Sequence, residues 1–222
     1  HLRQMIQRKR TFGIVGLGKS GATVARDLTS YGNHVIAVDM DERRVADLAE
    51  EVSEALIADG RDEGALREAG IEQCDAALVA MGSDLECSIL TAVNLKMMGV
   101  EAVWAKAKSR THHRILSKIG VDRVVYPENE IGQHVAQVMH NPLVRDYMSL
   151  GNGFHVVNIK ASEKLDGKKL SEMKHSEDFD LRCVGVMRGT EFVGSDDKDA
   201  ELKTDDRLML LGRRSDLRDF SA

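Results

Sequence analysis

Three glycines near the start of the chain have the spacing of a site that binds the phosphates of a nucleotide. They belong to the stretch TFGIVGLGKSG, residues 11–21, in which an apolar strand runs into a helix. Gly16 permits a tight turn after the strand, Gly18 lets backbone amides approach a pyrophosphate, and Gly21 lets the helix pack closely against the strand. The anion is expected at the helix N-terminus, where free N–H groups and the helix dipole favour negative charge.

A carboxylate follows where such a site needs one. The segment HVIAVD, residues 34–39, has the pattern of a second short apolar strand and ends in Asp39. An acid at this spacing binds the ribose diol of a nucleotide, and the alternative role for Asp39 is a helix cap. Strand, glycine turn, helix, strand and acid occur in the required order. The sequence therefore predicts nucleotide binding.

A rival motif overlaps the first. Residues 13–20 also have the pattern G-x-x-x-x-G-K-S, the phosphate loop of many ATPases. That loop requires a strand before Gly13, but the basic run 8–10 precedes it, and Gly21 has no role in the rival scheme. The ATPase interpretation predicts Gly13 outside a strand. The dinucleotide interpretation, which we favour, predicts it inside one.

The composition excludes several classes of protein. With 222 residues, of which 42% are hydrophobic and 30% charged, the chain has room for a domain of ordinary size plus a small one. No apolar run approaches the ~18 residues that span a bilayer, so a membrane role must come through a partner. The net charge of −5 argues against general nucleic-acid binding, which needs a basic face.

The cysteines indicate a reducing compartment. Cys74, Cys87 and Cys183 are widely spaced and form no C-x-x-C pair, so neither a disulfide framework nor a zinc site is expected. The start of the chain lacks the apolar core of a signal peptide, and we expect a cytoplasmic protein. Because the first residue is His1 rather than Met, we expect either a non-native leader or missing upstream sequence.

Apolar runs of strand length alternate with helical periodicity from residue 11 to residue 139. This alternation is typical of an α/β protein with a Rossmann-like, doubly wound parallel sheet. The predicted strands lie near 11–17, 34–39, 54–58, 76–80, 102–107 and 123–126. The predicted helices lie near 19–31, 41–51, 62–69, 84–98, 109–119 and 128–139. We expect helix caps at Asp41, Asp62, Ser83 and Ser109, and core positions at Leu85, Ile89, Val93 and Leu95.

Ligands of such a sheet bind beyond the carboxyl ends of its strands. The residues at those ends are Asp39, Asp59, Met81, Gly82, Lys106 and Glu128. Asp59 either contacts an adenine edge or only ends its strand, and Lys106 either meets phosphate or is only solvated. His112 and His113 open a helix and point in different directions, so we expect surface positions rather than a metal site.

The rest of the chain predicts a small α+β domain. Residues 143–150 are interpreted as a crossover and 151–153 as a hinge. Strands are expected at 154–160, 181–188, 191–193 and 207–211, with a short helix near 169–173, and the acidic stretch 196–199 as a solvated loop or a divalent-ion site. We therefore predict a nucleotide-binding domain over 1–142 and a regulatory domain over 143–222.

At this point the chain resembles a known family, the cytosolic regulatory subunits of Trk/Ktr-type potassium transporters. These are built from RCK domains, also called TrkA-N and TrkA-C. The resemblance is carried by GIVGLGKSG at 13–21, VIAVDMD at 35–41, WAKAK at 104–108, HHRILSKIGVD at 112–122 and YPE at 126–128. It covers nearly the whole chain, and the stretches 118–122 and 127–128 are far more specific than the glycine motif.

The resemblance implies a homo-oligomer, formed from dimers and reaching an octameric ring, beneath a membrane subunit that conducts potassium. It implies ATP or ADP in the N-terminal clefts, with NAD or NADH in some relatives, and Mg²⁺ or Ca²⁺ held near the ATP phosphates by Glu128. The family often has Arg where this chain has Lys19, which keeps the charge but lacks the bidentate fork. The candidate cofactor-binding residues are Gly16, Leu17, Gly18, Lys19, Ser20, Gly21, Asp39, Met40, Asp59, Met81, Gly82, Lys106 and Glu128, and the candidate metal ligand is Glu128.

We therefore hypothesise a nucleotide-sensing gating subunit that is not an enzyme and lies at the inner face of the cell membrane through its partner. One alternative is an NAD(P)-dependent oxidoreductase, which requires catalytic residues facing a nicotinamide. No Tyr-x-x-x-Lys pair or His-Asp-Ser set is recognisable in the sequence. The other alternative is a ligand-binding protein that acts without a membrane partner.

Overall fold

Parallel strands joined by helices form the first part of the chain, as the alternating periodicities predict. The structure is a computed structural model that describes residues 9–142, 144–173, 181–194 and 200–220. The elements are β1 (Thr11–Val15), α1 (Lys19–Ser30), β2 (His34–Asp39), α2 (Glu42–Leu48), β3 (Glu54–Ile57), α3 (Glu63–Glu68), a 3₁₀ turn (Ile71–Gln73), β4 (Ala76–Val79), α4 (Leu85–Met97), β5 (Val103–Lys106), α5 (Arg110–Ile119), β6 (Arg123–Val125) and α6 (Pro127–His140). By its contacts the chain divides into two compact units, His1–Glu128 and Asn129–Ala222.

The first unit contains one six-stranded sheet in the order β3-β2-β1-β4-β5-β6, and every pair is parallel. Successive residues of a strand face opposite sides of a sheet. Accordingly Ile14 belongs to one buried cluster and Val15 to another. Gly13 lies inside β1, where an added Cβ would come within 2.9 Å of Ile71 Cδ1. This position contradicts the ATPase phosphate-loop interpretation.

Helix starts in the first unit are fixed by short polar side chains. Asp41, Asp62 and Ser109 accept backbone N–H groups of the helices they precede, as predicted. The predicted cap at Ser83 is wrong, because Asp84 caps α4 by accepting the N–H of Cys87 at 2.9 Å.

The buried face of α4 also differs from the prediction. Leu85 is 46% exposed, whereas the buried residues are Cys87, Ser88, Thr91, Ala92 and Leu95. Of the predicted core positions only Leu95 is buried. Small or polar side chains make up most of the buried face of this helix, so that face is not its most apolar one.

The second unit is built on an antiparallel sheet. After the end of α6 its elements are β7 (Val144–Gly151), β8 (Phe154–Lys160), two 3₁₀ turns (Glu163–Leu165 and Leu170–Met173), β9 (Arg182–Arg188), β10 (Glu191–Gly194), β11 (Arg207–Arg213) and α7 (Arg214–Phe220). The strand order is β10-β9-β11-β8-β7. Burial alternates along β11, as expected for a sheet with one face on a core. The predicted fold class is confirmed.

Two predictions for the second unit need correction. Residues 144–150 of the expected crossover, together with Gly151 of the expected hinge, form strand β7, which pairs with β8. The expected hinge is the turn of this hairpin, in which Gly151, Asn152 and Gly153 all have positive φ. The acidic stretch 196–199 lies outside the described residues. Among the helices that the structure describes, none is long and apolar enough to cross a membrane.

Candidate nucleotide-binding cleft

A cleft of about 420 Å³ opens at the carboxyl edge of the parallel sheet. This is the edge at which doubly wound sheets bind ligands. Ten of the predicted residues line it: Gly16, Gly18, Lys19, Ser20, Asp39, Met40, Met81, Gly82, Lys106 and Glu128. The predicted residues Leu17, Gly21 and Asp59 are not part of its lining.

The three glycines of the motif meet different surroundings. Gly16 has a φ of 102°, and an added Cβ would lie 2.9 Å from the N atom of Met81. A Cβ on Gly21 would lie 1.9 Å from the carbonyl oxygen of Gly16. A Cβ on Gly18 would meet nothing within 4 Å. The fold itself therefore requires Gly16 and Gly21 to lack a side chain, whereas Gly18 leaves open space in the cleft.

The N-terminus of α1 faces this space without a cap. Gly18 is the N-cap residue, no side chain accepts a hydrogen bond there, and the first turn contains no acidic residue. The first N–H groups of a helix have no partner within the helix. This end of α1 therefore offers N–H donors and the positive end of the helix dipole to an anion.

Asp39 organises the glycine turn from the end of β2. Its Oδ2 accepts the N–H of Leu17 at 2.7 Å, and its Oδ1 accepts the N–H of Asp41 at 2.8 Å. Arg44 approaches the same carboxylate, with Nη1 to Oδ2 at 3.7 Å. A carboxylate held by two backbone donors is a charged acceptor in a fixed orientation, which is what recognition of a ribose diol requires.

Lys106 joins three parts of the cleft. Its Nζ donates to Ser20 Oγ, in the first turn of α1, at 3.1 Å. The same Nζ lies 4.0 Å from Oε1 of Glu128. The Lys106 side chain is 19% exposed and that of Glu128 is 63% exposed. A partly buried ammonium thus lies beside the open helix end, with an exposed carboxylate partner.

Asp59 is engaged elsewhere. Its carboxylate accepts the Arg61 guanidinium, with Oδ2 to Nη2 at 2.9 Å, and the backbone N–H of Arg61 at 2.9 Å. These contacts hold the pKa of the Asp59 carboxyl below its ordinary value. Its neighbours Ala58 and Gly60, rather than its own side chain, line the cleft.

Several lining residues were not predicted from the sequence. Lys108, Arg44, Asp84 and Cys87 all reach the cleft. Lys108 follows Lys106 by two residues. In an extended chain this spacing places two side chains on the same side, so the sequence already indicated that Lys108 lies beside Lys106. Arg44 lies in the first turn of α2, five residues after the predicted ribose acid Asp39. The other two belong to the start of α4.

The prediction for His112 is wrong. Its side chain is 1% exposed, not on the surface. The Nδ1 atom accepts the backbone N–H of Lys108 at 3.1 Å, and Nε2 lies 2.9 Å from Oγ of the buried Ser88. Burial lowers the pKa of the imidazole, which favours its neutral form.

The residues present fit a nucleotide better than a protein-held metal. Among the described residues, no group of three or more His, Cys, Asp or Glu side chains could hold a metal ion. A divalent cation at Glu128 would therefore need further oxygen ligands from water or a nucleotide. The open space at Gly18, the helix N–H groups and the nearby ammonium groups suit a phosphate chain.

Comparison with known families decides the relationship. Residues 12–127 match the TrkA-N domain and residues 154–222 match the TrkA-C domain. The chain belongs to the TrkA-N/TrkA-C family. It is 32% identical over 212 residues to Ktr system potassium uptake protein C of Bacillus subtilis (strain 168), with 96% of each chain covered. It is also 32% identical over 208 residues to Ktr system potassium uptake protein A of Vibrio alginolyticus, with 94% of each chain covered.

Solved structures share the RCK fold with this TrkA-N/TrkA-C chain. The GsuK RCK domain matches with a TM-score of 0.68 at 15% identity, over 97% of this chain and 47% of that chain. A GsuK channel bound to NAD matches with a TM-score of 0.68 at 14% identity, over 95% of this chain and 38% of that one. The chain thus spans less than half of these larger proteins, and the likeness shows the fold alone.

Proposed function

We propose that this chain is a nucleotide-sensing gating subunit of a potassium uptake system, not an enzyme. It binds ATP or ADP in the cleft of the first unit, with NAD or NADH as the alternative ligands. Binding controls an attached membrane subunit that conducts potassium. The relatives named Ktr system potassium uptake proteins support the potassium system, and the NAD-bound GsuK channel supports a nucleotide in this fold.

The observation that carries the proposal is the open space at Gly18. Packing explains why Gly16 and Gly21 are glycines, but beyond Gly18 itself and its two chain neighbours no atom lies within 4 Å of a Cβ built on Gly18. A glycine in an unstrained conformation costs conformational entropy when the chain folds. A ligand whose phosphates must approach the backbone closely gives this position a reason to lack a side chain.

The side chains around this space have distinct roles in the proposal. Asp39 accepts hydrogen bonds from the ribose hydroxyls. Lys19, Ser20 and Lys106 contact the phosphates beside the N-terminus of α1. Glu128 exchanges its contact with Lys106 for Mg²⁺ or Ca²⁺ when a nucleotide brings a long phosphate chain.

Gating requires that the nucleotide bind two states of the assembly with different affinity, because a ligand that binds both equally shifts neither. The protein is proposed to act as a homo-oligomer, from dimers to an octameric ring, at the cytoplasmic face of the membrane. It reaches the membrane through the potassium-conducting subunit. Co-purification with such a subunit, and light scattering that finds more than monomer at micromolar concentration, test these two parts.

The direct test is a thermal-shift panel of ATP, ADP, NAD and NADH, each with and without Mg²⁺ or Ca²⁺. A nucleotide at a hundred times its Kd adds about 2.7 kcal/mol to the free energy of unfolding, which raises the melting temperature. Gly18→Ala should melt normally without nucleotide but lose the shift, because the added methyl group occupies the phosphate space. Gly132→Ala is the matched control, since a Cβ there also meets nothing within 4 Å and lies in a helix.

Two results would overturn the proposal. One is a wild-type protein whose melting temperature none of these nucleotides raises. The other is a Gly18→Ala variant with an unchanged nucleotide shift, which would place the ligand elsewhere. Hydride transfer to or from NAD in the presence of a reducible or oxidisable compound would favour the oxidoreductase alternative.

A further inference from the structure

His112 lies in the first turn of α5 and is fully enclosed. It is 1% exposed, and both ring nitrogens have partners. The Nδ1 atom lies 3.1 Å from the backbone N of Lys108, and Nε2 lies 2.9 Å from Oγ of Ser88. Ser88 is itself 0% exposed and lies on α4. A buried polar network with every member paired specifies one local arrangement.

The contact with the backbone fixes the tautomer of the ring. A backbone N–H can only donate, so Nδ1 must be the unprotonated, accepting nitrogen. In the neutral imidazole the proton then lies on Nε2, which donates to Ser88 Oγ. The two nitrogens therefore have different tasks: Nδ1 holds the segment after β5, and Nε2 holds α4.

The segment held by Nδ1 forms a wall of the nucleotide cleft. Lys108 lines the cleft together with Lys106 and Gly82. The Cβ of Lys108 and the Nζ of Lys106 lie at the same distance, 3.9 Å, from the place where a Cβ on Gly82 would be. Among the described residues the Lys108 ammonium forms no salt bridge, and the contact with Glu128 belongs to Lys106. Lys108 thus provides a second positive charge on this wall.

We propose that His112 is a positioning residue for the cleft: its Nδ1 fixes the backbone of Lys108 and so directs the Lys108 ammonium at the phosphates of the nucleotide. This inference rests on the proposed nucleotide function. It adds a residue that does not itself line the cleft. Fixing the backbone before binding lowers the entropy lost when the lysine engages phosphate.

Two substitutions separate the tasks of the ring nitrogens. In His112→Asn the amide oxygen takes the place of Nδ1 and can still accept the Lys108 N–H, but the contact with Ser88 is lost. In His112→Gln the amide reaches the place of Nε2 and can still pair with Ser88, but the acceptor for Lys108 is lost. Each variant removes one hydrogen bond from the same buried network, so both should lose similar stability.

The test measures binding of ATP with Mg²⁺, and of adenosine, by calorimetry. His112→Gln should bind ATP about fivefold more weakly than wild type, as expected for the loss of one hydrogen bond that orients a contact. His112→Asn should bind ATP with nearly wild-type affinity. Adenosine should bind to all of the proteins with the same affinity, because it has no phosphate. Combining His112→Gln with Lys108→Ala should weaken ATP binding no further than Lys108→Ala alone.

Several outcomes would overturn the inference. Equal ATP affinity of His112→Gln and wild type would do so, as would equal losses for ATP and adenosine, which indicate a general structural defect. A wild-type protein that binds no nucleotide would refute the proposed function and this role of Lys108 with it. Amide hydrogen exchange on the wild-type protein needs no variant: the Lys108 N–H should be protected without nucleotide, and fast exchange would refute the contact.

Discussion

The lysines around the cleft of the first unit and the ion pairs of the second unit use charge in different ways. Around the cleft of the first unit, Lys106 approaches a carboxylate only at 4.0 Å, and within the described residues Lys19 and Lys108 form no salt bridge. In the second unit, Arg188 contacts Asp206 at 2.8 Å and Lys160 contacts Asp205 at 2.6 Å. Matched charges stabilise the fold, whereas charges left unmatched in a cleft are available to a ligand.

Asp206 shows how closely one buried charge of the second unit is matched. It is 2% exposed, accepts two hydrogen bonds from Arg188, and accepts the backbone N–H of Lys203 at 2.8 Å. These donors hold the pKa of its carboxyl below the ordinary value. Arg188 also donates to the carbonyl oxygen of Glu201 at 2.8 Å. The pair ties β9 to the chain before β11.

Size alone would have placed the candidate site in the second unit. The second unit has a groove of about 960 Å³, larger than the cleft of the first unit. Its lining includes Val144, Val157 and Leu217, with Arg214 and His140 as its basic residues. Among its described lining residues no lysine and no carboxylate converge, as Lys19, Lys106, Asp39 and Glu128 do in the cleft. Chemistry, rather than volume, therefore favours the cleft of the first unit as the candidate nucleotide site.

The largest expected effect is at Asp39. Asp39→Ala should weaken nucleotide binding by more than about a hundredfold, or about 2.7 kcal/mol, because the ribose hydroxyls lose their charged acceptor. Calorimetry measures the affinity, and circular dichroism checks the fold. Asp41→Ala is the control, since this neighbouring carboxylate caps α2 and does not line the cleft. If the two variants bind equally well, the ribose assignment is wrong.

The next effect concerns the matched pair of the second unit. Asp206→Asn should lower the free energy of unfolding by about 2 kcal/mol, because an amide cannot satisfy Arg188 and the Lys203 N–H together. Asp205→Asn, at a side chain that is 70% exposed, should cost under about 0.5 kcal/mol. Urea unfolding followed by circular dichroism measures both. Nucleotide affinity should change in neither variant. A large loss of nucleotide affinity in Asp206→Asn would contradict the view that this ion pair only stabilises the second unit.

A smaller effect should separate ATP from ADP. Divalent cations should tighten ATP binding more than ADP binding, because a cation turns repulsion between Glu128 and the phosphates into a bridge. Glu128→Gln should remove most of that difference, about tenfold or 1.4 kcal/mol. Glu130→Gln, a matched change on the same helix, should keep it. A Glu128→Gln variant with the full cation-dependent preference would show that Glu128 only opens α6.

The smallest effect is a dependence of stability on pH. Burial lowers the pKa of His112, so below the unfolded-state value of about 6.5 the unfolded chain binds more protons than the folded one. The neutral imidazole therefore contributes fully to the free energy of unfolding above that pH. Its contribution decreases as the pH falls below it. Urea unfolding at about pH 7.5 and about pH 5.5 measures this loss, which should be smaller in His112→Asn. Equal losses in both proteins would exclude His112 as the cause.

Local signals in the sequence were sufficient for the first unit. The bounds of β2 agree with the prediction at both ends, and α1 differs by one residue at its end. Buried parallel strands give continuous apolar runs, and caps such as Asp41 mark helix starts within a few residues. Because the carboxyl ends of parallel strands meet at one edge, the sequence also predicted most of the cleft lining.

Strand β7 was missed because its sequence has little apolar alternation. Only Val144 is buried, and most of the strand is exposed at the edge of the sheet. Strand β7 forms because the backbone of β8 supplies partners for its hydrogen bonds. Its turn was mistaken for a hinge, since glycines with positive φ serve both purposes.

The sequence by itself determined the order of strands and helices, the glycine turn and the acid at the end of β2, because each depends on neighbours a few residues away. Only the tertiary structure decided that Gly18 alone of the three glycines leaves open space, that Asp59 pairs with Arg61, and that His112 is buried. His112 meets Ser88 across 24 positions of the chain. A buried polar group is stable only when its partner is in place, and packing brings the two together.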